Sequence, residues 1–385
     1  MKFFLKSFSD GLKFLCVETA RERKRIVLRY LQSFQLGNSY FHFRRQIVNG
    51  QYHAISERLD GYWSVASKAK DVRFMTAIWL IEERLGKYLT AIQHEYFSFI
   101  VDRGDSNNLR DIGSNDRILV RLKESRKEGI GNGILFLGLV LELSESFESI
   151  VVLVDERLIK IWRRSLARYP KIEVVSEVDF LALGDLKTIN LTELKYLLIK
   201  NESKIVNVVS HRQLTVDQQY FAMSQEFMKR GFDDLPLVGL VWRSSNRGKE
   251  SPDFGQWLNV IKNFSAVYVL LQYGVDSDEV QAFEEVAQMS GSKIYRGVED
   301  LSGDLDKHFA EIAAVDVVLT IPSSVAYFAT ALGVESIILV DPGYSRQFPI
   351  NSDFCPWHPK ATIIRPSENG YEGSMRRALE VLQKF

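Results

Sequence analysis

The stretch Asp316–Pro342, DVVLTIPSSVAYFATALGVESIILVDP, leaves this chain few folds to choose from. Val317–Ile321 is an apolar run long enough for one strand and too short for a helix. Pro322-Ser323-Ser324 breaks it, Val325–Leu332 is rich in Ala and Leu, and Gly333 closes that segment. Ile337–Val340 is a second apolar run. Strand, tight turn, helix, glycine cap and strand make one βαβ unit of a buried parallel sheet. Its turn lies at the carboxyl end of the first strand, where open α/β sheets bind ligands and where helix amides and the helix dipole favour anions. Two readings of Ser323 and Ser324 stand side by side: anion ligands, or plain N-caps of the helix.

The same rhythm extends in both directions. A unit starting at Leu235 gives a strand Leu237–Trp242, a helix Phe254–Asn263, a strand Val267–Gln272, a helix Asp276–Ser290 and a short strand Lys293–Tyr295. A helix running to Ala314 precedes the βαβ unit, and Tyr371–Gln383 is a terminal helix. Upstream, Ile118–Leu122, Ile150–Val154 and Ile172–Val175 read as strands, with helices at Ile134–Leu143 and Glu156–Tyr169. The alternation continues through Phe180–Leu183, Leu191–Lys200 and Ile205–Val209 to a helix Val216–Arg230 capped by Gly231. The expectation is two Rossmann-like domains, 116–232 and 233–385, with a cleft where the carboxyl ends of their sheets meet.

Residues 1–110 read differently. Arg21–Phe34, Gln51–Lys70 and Val72–Ile100 carry apolar residues at helical spacing, with Gly37-Asn38-Ser39, Asn49-Gly50 and Asp60-Gly61 as breakers. This predicts an α-helical region for acceptor or partner binding. A search for the roughly 34-residue tetratricopeptide period finds no convincing repeat, so any repeats there are degenerate. Asp102–Asp116, polar and holding two glycines, is the expected linker. The opening MKFFLKSFSDGLKFLCVETA reads as an amphipathic helix rather than a signal peptide, because Asp10 and Lys13 interrupt its apolar run. Lys2, Lys6 and Lys13 leave peripheral membrane association open for it.

Charge excludes some partners. Lys+Arg and Asp+Glu both count 49, so no global field draws nucleic acid. No stretch reaches the roughly 18 apolar residues of a membrane span. Cys16 and Cys355 form no metal pattern, which suits a reducing, cytoplasmic setting. The six histidines show no paired spacing, and neither a Walker loop nor GxGxxG occurs. Gly129–Gly133 is the nearest glycine cluster. It is either a ligand loop after the first strand or a flexible βα turn. Arg243, Asn246, Arg247 and Lys249 follow the strand Leu237–Trp242 and suit a diphosphate, or form an exposed basic loop. Three such loops arriving at one cleft favour ligand binding over three unrelated turns.

At these residues a family resemblance emerges. VGLVWRSSN (Val238–Asn246), LLQYG (Leu270–Gly274), DLDKHFAEIAAVDVVLTIPSSVAYFATALGV (Asp304–Val334) and FCPWHPKATIIRP (Phe354–Pro366) occur in one order. They resemble the glycosyltransferase region of bacterial tetratricopeptide-linked glycosyltransferases, which is related to lipopolysaccharide heptosyltransferases and O-linked N-acetylglucosamine transferases. GIGNGILFLGLVLEL (Gly129–Leu143) extends the likeness into the first half. The resemblance implies a GT-B fold and transfer of a sugar from a nucleotide-sugar donor to a protein or glycan, with no cofactor and no bound metal. It implies that Ser323 and Ser324 hold the donor's diphosphate, with Tyr327 beside them. Arg243 with its loop and Gln272 would also stand on the donor side, and Gly129 and Gly131 on the acceptor side. Pro322, Tyr327 and Asn132 depart from the family's Asp, His and Asp. An amide cannot take a proton, so Glu128, four positions before Asn132, is the replacement candidate for general base, with Glu124 behind it. The same departures motivate an alternative, a degenerate GT-B protein that binds a nucleotide sugar or acts as a scaffold. A nicotinamide-dependent oxidoreductase is disfavoured by the missing GxGxxG.

Overall fold

A computed structural model describes residues 43, 55–103, 112–122, 130–180, 183–184, 186–210, 214–232, 234–244, 251–297, 305–340, 348–350, 352–366 and 370–385. The chain divides into two compact units. One comprises Met1–Asn107 with Gly343–Asn351, the other Asn108–Pro342 with Ser352–Phe385. The expected helices before residue 43 and the breakers Gly37-Asn38-Ser39 and Asn49-Gly50 lie outside the described residues, as do 104–111 of the expected linker.

The first unit is helical where described: α1 (Leu59–Lys68), α2 (Val72–Arg84) and α3 (Tyr88–Arg103). Its core gathers Phe43, Ile55, Leu59, Tyr62, Phe74 and Ile78, with Phe43 edge-on to Tyr62 and Phe74. Asp71 caps α2 by accepting from the Phe74 amide at 2.9 Å. Two expectations are corrected here. Val72–Ile100 is two helices, because Gly86 adopts φ 79° and Lys87 N and Gly86 N return to Glu82 O and Glu83 O in a Schellman turn. Asp60-Gly61 is no breaker but part of the first turn of α1, where an acidic residue suits the helix dipole.

The second unit holds two wholly parallel sheets. The first contains β1 (Arg117–Arg121), β2 (Ser149–Leu153), β3 (Ile172–Val175) and β4 (Lys187–Asn190), in the order β3-β2-β1-β4. Between them run α4 (Gly131–Leu135), α5 (Leu137–Ser146), α6 (Ile159–Leu166) and α7 (Glu177–Phe180). After β4 come α8 (Leu191–Leu198), α9 (Glu202–Ser210) and α10 (Gln218–Lys229). The single helix expected at Ile134–Leu143 is thus split. At the break, buried Phe136 turns its ring edge-on to Trp357 at 5.2 Å. In Phe180–Leu183 the described residues continue no strand; Phe180 ends α7, and the fourth strand is β4 instead.

The second sheet contains β5 (Leu237–Val241), β6 (Val267–Leu270), β7 (Lys293–Arg296), β8 (Val317–Thr320), β9 (Glu335–Leu339) and β10 (Ala361–Ile364), in the order β10-β9-β8-β5-β6-β7. Its helices are α11 (Phe254–Asn263), α12 (Ser277–Ser290), α13 (Asp306–Ala314), α14 (Ser324–Leu332) and α15 (Tyr371–Leu382). Every residue of β5, β6 and β8 is buried, as continuous apolar strands covered on both faces must be. One face (Val238, Leu240, Leu319, Ile337) packs with Trp257, Phe283 and Met375 from α11, α12 and α15. On the other face α14 packs against β8 and β9, and α10 packs against β6 and α13. Each buried Leu, Ile or Phe of this kind stabilises by about 1.5–3 kcal/mol.

In this order β5 pairs with both β6 and β8, and the winding reverses between β5 and β8. The first sheet reverses between β1 and β4. These are the two switch points, so the expected mixed α/β architecture, two Rossmann-like halves preceded in the sequence by a helical region, is the one observed.

Candidate site at the two switch points

The turn after β8 is built by pairing on both sides. Ile321 N reaches Val241 O at 3.3 Å, which keeps the ends of β8 and β5 together. Ser323 follows in an extended conformation (φ −143°, ψ 170°) at the N-cap position of α14, yet its side chain makes no capping hydrogen bond. Its Oγ lies 3.1 Å from Thr320 Oγ1, and Thr320 donates to Ile321 O at 2.8 Å. Since a hydroxyl has one proton, Ser323 is the donor to Thr320. The plain-cap reading of Ser323 therefore does not describe this turn. Ser324 opens α14 and is exposed.

Gly131 and Tyr327 come together. α4 packs on α14, and a Cβ at position 131 would lie 2.6 Å from Tyr327 Cδ2. Only a glycine admits the ring so closely. Tyr327 also tilts against the ring of His358 at 5.1 Å. His358 is fully buried, its Nδ1 is 2.6 Å from Thr330 Oγ1, and burial lowers its pKa to about 3. The helices that follow β1 and β8 thus meet at their first turns. Arg157, beyond β2, is held by Asp155, whose hydrogen bond raises its pKa. Further links between the halves are the bidentate pair of Arg164 with Asp306 (3.0 and 2.6 Å) and the bond from Leu214 N to Ala331 O at 3.3 Å.

Arg243 and Gln272 also come together. Gln272 is buried; its Oε1 accepts from Arg243 N at 3.0 Å and its Nε2 donates to Tyr273 O at 3.0 Å. The Arg243 guanidinium donates to Glu279 Oε2 at 2.8 Å and to Gly274 O at 2.5 Å. Glu279 is the residue that sequence reasoning passed over. The pattern Asp276-x-x-Glu279 is visible as a capping box, and the structure forms it. What spacing cannot reveal is that Glu279 also accepts from Trp242 Nε1 at 3.1 Å. Thr320 was passed over for the same reason, since its role depends on a turn three residues away.

Glu124, Glu128, Gly129, Asn246, Arg247 and Lys249 lie outside the described residues. Asn132 lies in α4. Among the described residues no cluster of His, Cys, Asp and Glu could hold a metal ion, and no helix is long and apolar enough to cross a membrane.

Comparison with known proteins adds the following. No family model matches the sequence. Protein FlbA of Caulobacter vibrioides is 31% identical over 157 residues, covering 39% of this chain. The match spans only 25% of that protein's length. Among solved structures, the glycosyl transferase family 9 protein of Veillonella parvula aligns with TM-score 0.46 and 17% identity, over 70% of this chain and 92% of its own. The ADP-heptose LPS heptosyltransferase II of E. coli aligns with TM-score 0.45 and 15% identity, over 70% and 98%. At these scores the likenesses carry no argument about activity; the fold stands on the strand orders themselves.

Proposed function

We propose that this chain is a GT-B glycosyltransferase that moves a sugar from a nucleotide-sugar donor to a protein or glycan acceptor, without a metal or other cofactor, in the cytoplasm. The observation that carries the reading is the meeting of Gly131 and Tyr327, which brings the first helices after both switch points into contact. The ordered motifs around Val238–Asn246 and Asp304–Val334 support it. In this reading the amides at the start of α14 and the Ser324 hydroxyl receive the donor's diphosphate, and they stabilise the charge that develops on it as the sugar leaves. Ser323, whose proton goes to Thr320, shapes the turn. Tyr327 walls the site. Gly131 and Asn132 at the start of α4 stand on the acceptor side, and Glu128 and Gly129 belong to the same stretch of sequence, with Glu128 taking the acceptor's proton. Arg247, Lys249 and Asn246 stand on the donor side with Gln272. The helical unit binds the acceptor or a partner.

The test is calorimetry with UDP-, GDP- and ADP-sugars in the presence of EDTA. One donor class is expected to bind, with Ser324→Ala weakening it about tenfold, the worth of one lost charge-assisted hydrogen bond. No binding by any class would sink the proposal.

Pro322 and Asn132, standing where related transferases keep carboxylates, favour a second reading in which binding persists without transfer. Donor binding with neither hydrolysis nor transfer to a panel of peptide and glycan acceptors decides for it.

A further inference from the structure

The ends of β5 and β6 are joined by one carboxylate. Glu279, in the first turn of α12, takes Trp242 Nε1 on one oxygen (3.1 Å). On the other it takes the Arg243 guanidinium (2.8 Å) and the Asp276 amide (3.2 Å). Arg243 continues the chain of bonds to Gly274 O at 2.5 Å, and its own amide is held by Gln272 Oε1 at 3.0 Å. Trp242 is buried and stands edge-on to Phe283 of α12 at 4.9 Å. The Arg243 guanidinium, a natural phosphate ligand by type and position, thus already has a carboxylate and a carbonyl of this chain as partners, on a side chain that is 42% exposed.

We propose that Glu279 is a positioning residue for the diphosphate site, and that Arg243 acts through it as an internal strut instead of touching the ligand. This rests on the nucleotide-sugar reading above. The strut fixes Trp242-Arg243 against Gln272–Gly274 and so sets one wall of the crevice beside the switch point. A carboxylate suits this task because it accepts from an indole, a guanidinium and an amide at once. Glutamine in its place keeps one acceptor oxygen and loses the charge that aligns the guanidinium. The pair also shows what the sequence leaves open here: an arginine after the first strand of such a half invites assignment to phosphate, while the carboxylate that pairs with it lies 36 positions later.

A double-mutant cycle tests the proposal on the full chain, with UDP, GDP and ADP as calorimetric probes. Arg243→Gln and Glu279→Gln are each expected to weaken the best-bound diphosphate about tenfold. The double variant is expected to be no weaker than the worse single one, because each substitution breaks the same strut. The slope of log Kd against log salt should be the same in Arg243→Gln as in the wild type, since no cation has been removed from the phosphate. Losses that multiply, a flatter salt slope in Arg243→Gln, or tighter binding in Glu279→Gln would each place Arg243 on the phosphate and overturn the proposal. So would wild-type affinity in both single variants. If the wild type binds none of the three diphosphates, the nucleotide-sugar reading fails on its own. The strut is then decided by the thermal midpoints of the same four proteins: shifts that add overturn it, and shifts that do not add uphold it.

Discussion

His358 shows how much one residue's surroundings decide. Its ring is sealed between α14 and the turn before β10, and burial holds its pKa near 3 against an ordinary 6.5. Thr330 spends its proton on Ala326 O at 3.0 Å, so His358 Nδ1 is the donor to Thr330. The folded state keeps this imidazole neutral, whereas the unfolded chain binds a proton below pH 6.5. Stability therefore falls as pH drops from about 6.5 towards 3, by up to about 1.4 kcal/mol per pH unit. Urea unfolding at pH 7, 6 and 5 should show that slope reduced in His358→Gln. An unchanged slope would mean that other groups set the acid limit. Residue roles were legible in the sequence where they depend on neighbours in the chain. Ser323 could be put at the mouth of a helix because Pro322 and the Ala-rich run flank it. Arg243 could not be read, because Glu279 and Gln272 reach it only through the pairing of β5 with β6.

At the scale of elements, the central strands were plain because they are apolar throughout. Val317–Thr320 and Val267–Leu270 are buried at every position and short, which suits only a strand covered on both faces. β4 (KTIN) escaped notice because two of its four residues are not buried and Ile189 is its one large apolar side chain. β10 (ATII) lies inside the motif Phe354–Pro366, where no strand was expected. The split of α2 from α3 was missed because the helical period survives the break. Only the positive φ of Gly86 marks the reversal, and it is a property of the backbone. A Cβ there would touch Pro349 at an ordinary 3.7 Å, so crowding is no obstacle. Gly86→Ala should cost the first unit about 1–2 kcal/mol, the strain of a left-handed alanine, and Gly86→Asn distinctly less. Chemical denaturation of the two variants separates strain from packing: equal losses would point to packing.

At the scale of the whole second unit, the link between its halves is partly ionic. Arg164 is about a quarter exposed and Asp306 is nearly sealed, with two short bonds between them and a third from Arg164 to Thr215 O at 3.2 Å. Asp306→Ala should destabilise this unit by about 2 kcal/mol, between the values for surface and fully buried pairs. The half-exposed pair of Arg377 with Asp353 serves as control, and Arg377→Ala should cost under about 1 kcal/mol. Equal losses in urea unfolding would mean that the link between halves contributes no more than a surface pair. That the chain holds two Rossmann-like halves was legible from the order of its runs. How they join was not, since Phe136 with Trp357 and Arg164 with Asp306 are pairs distant in sequence.

The bare backbone at Gly131 has a mechanical consequence. With no side chain between α4 and the Tyr327 ring, the halves close at that spot, as they do at Arg164 with Asp306 and Phe136 with Trp357. A side chain added at position 131 would act as a wedge there. Its push would fall on α14, the helix that Ser324 opens.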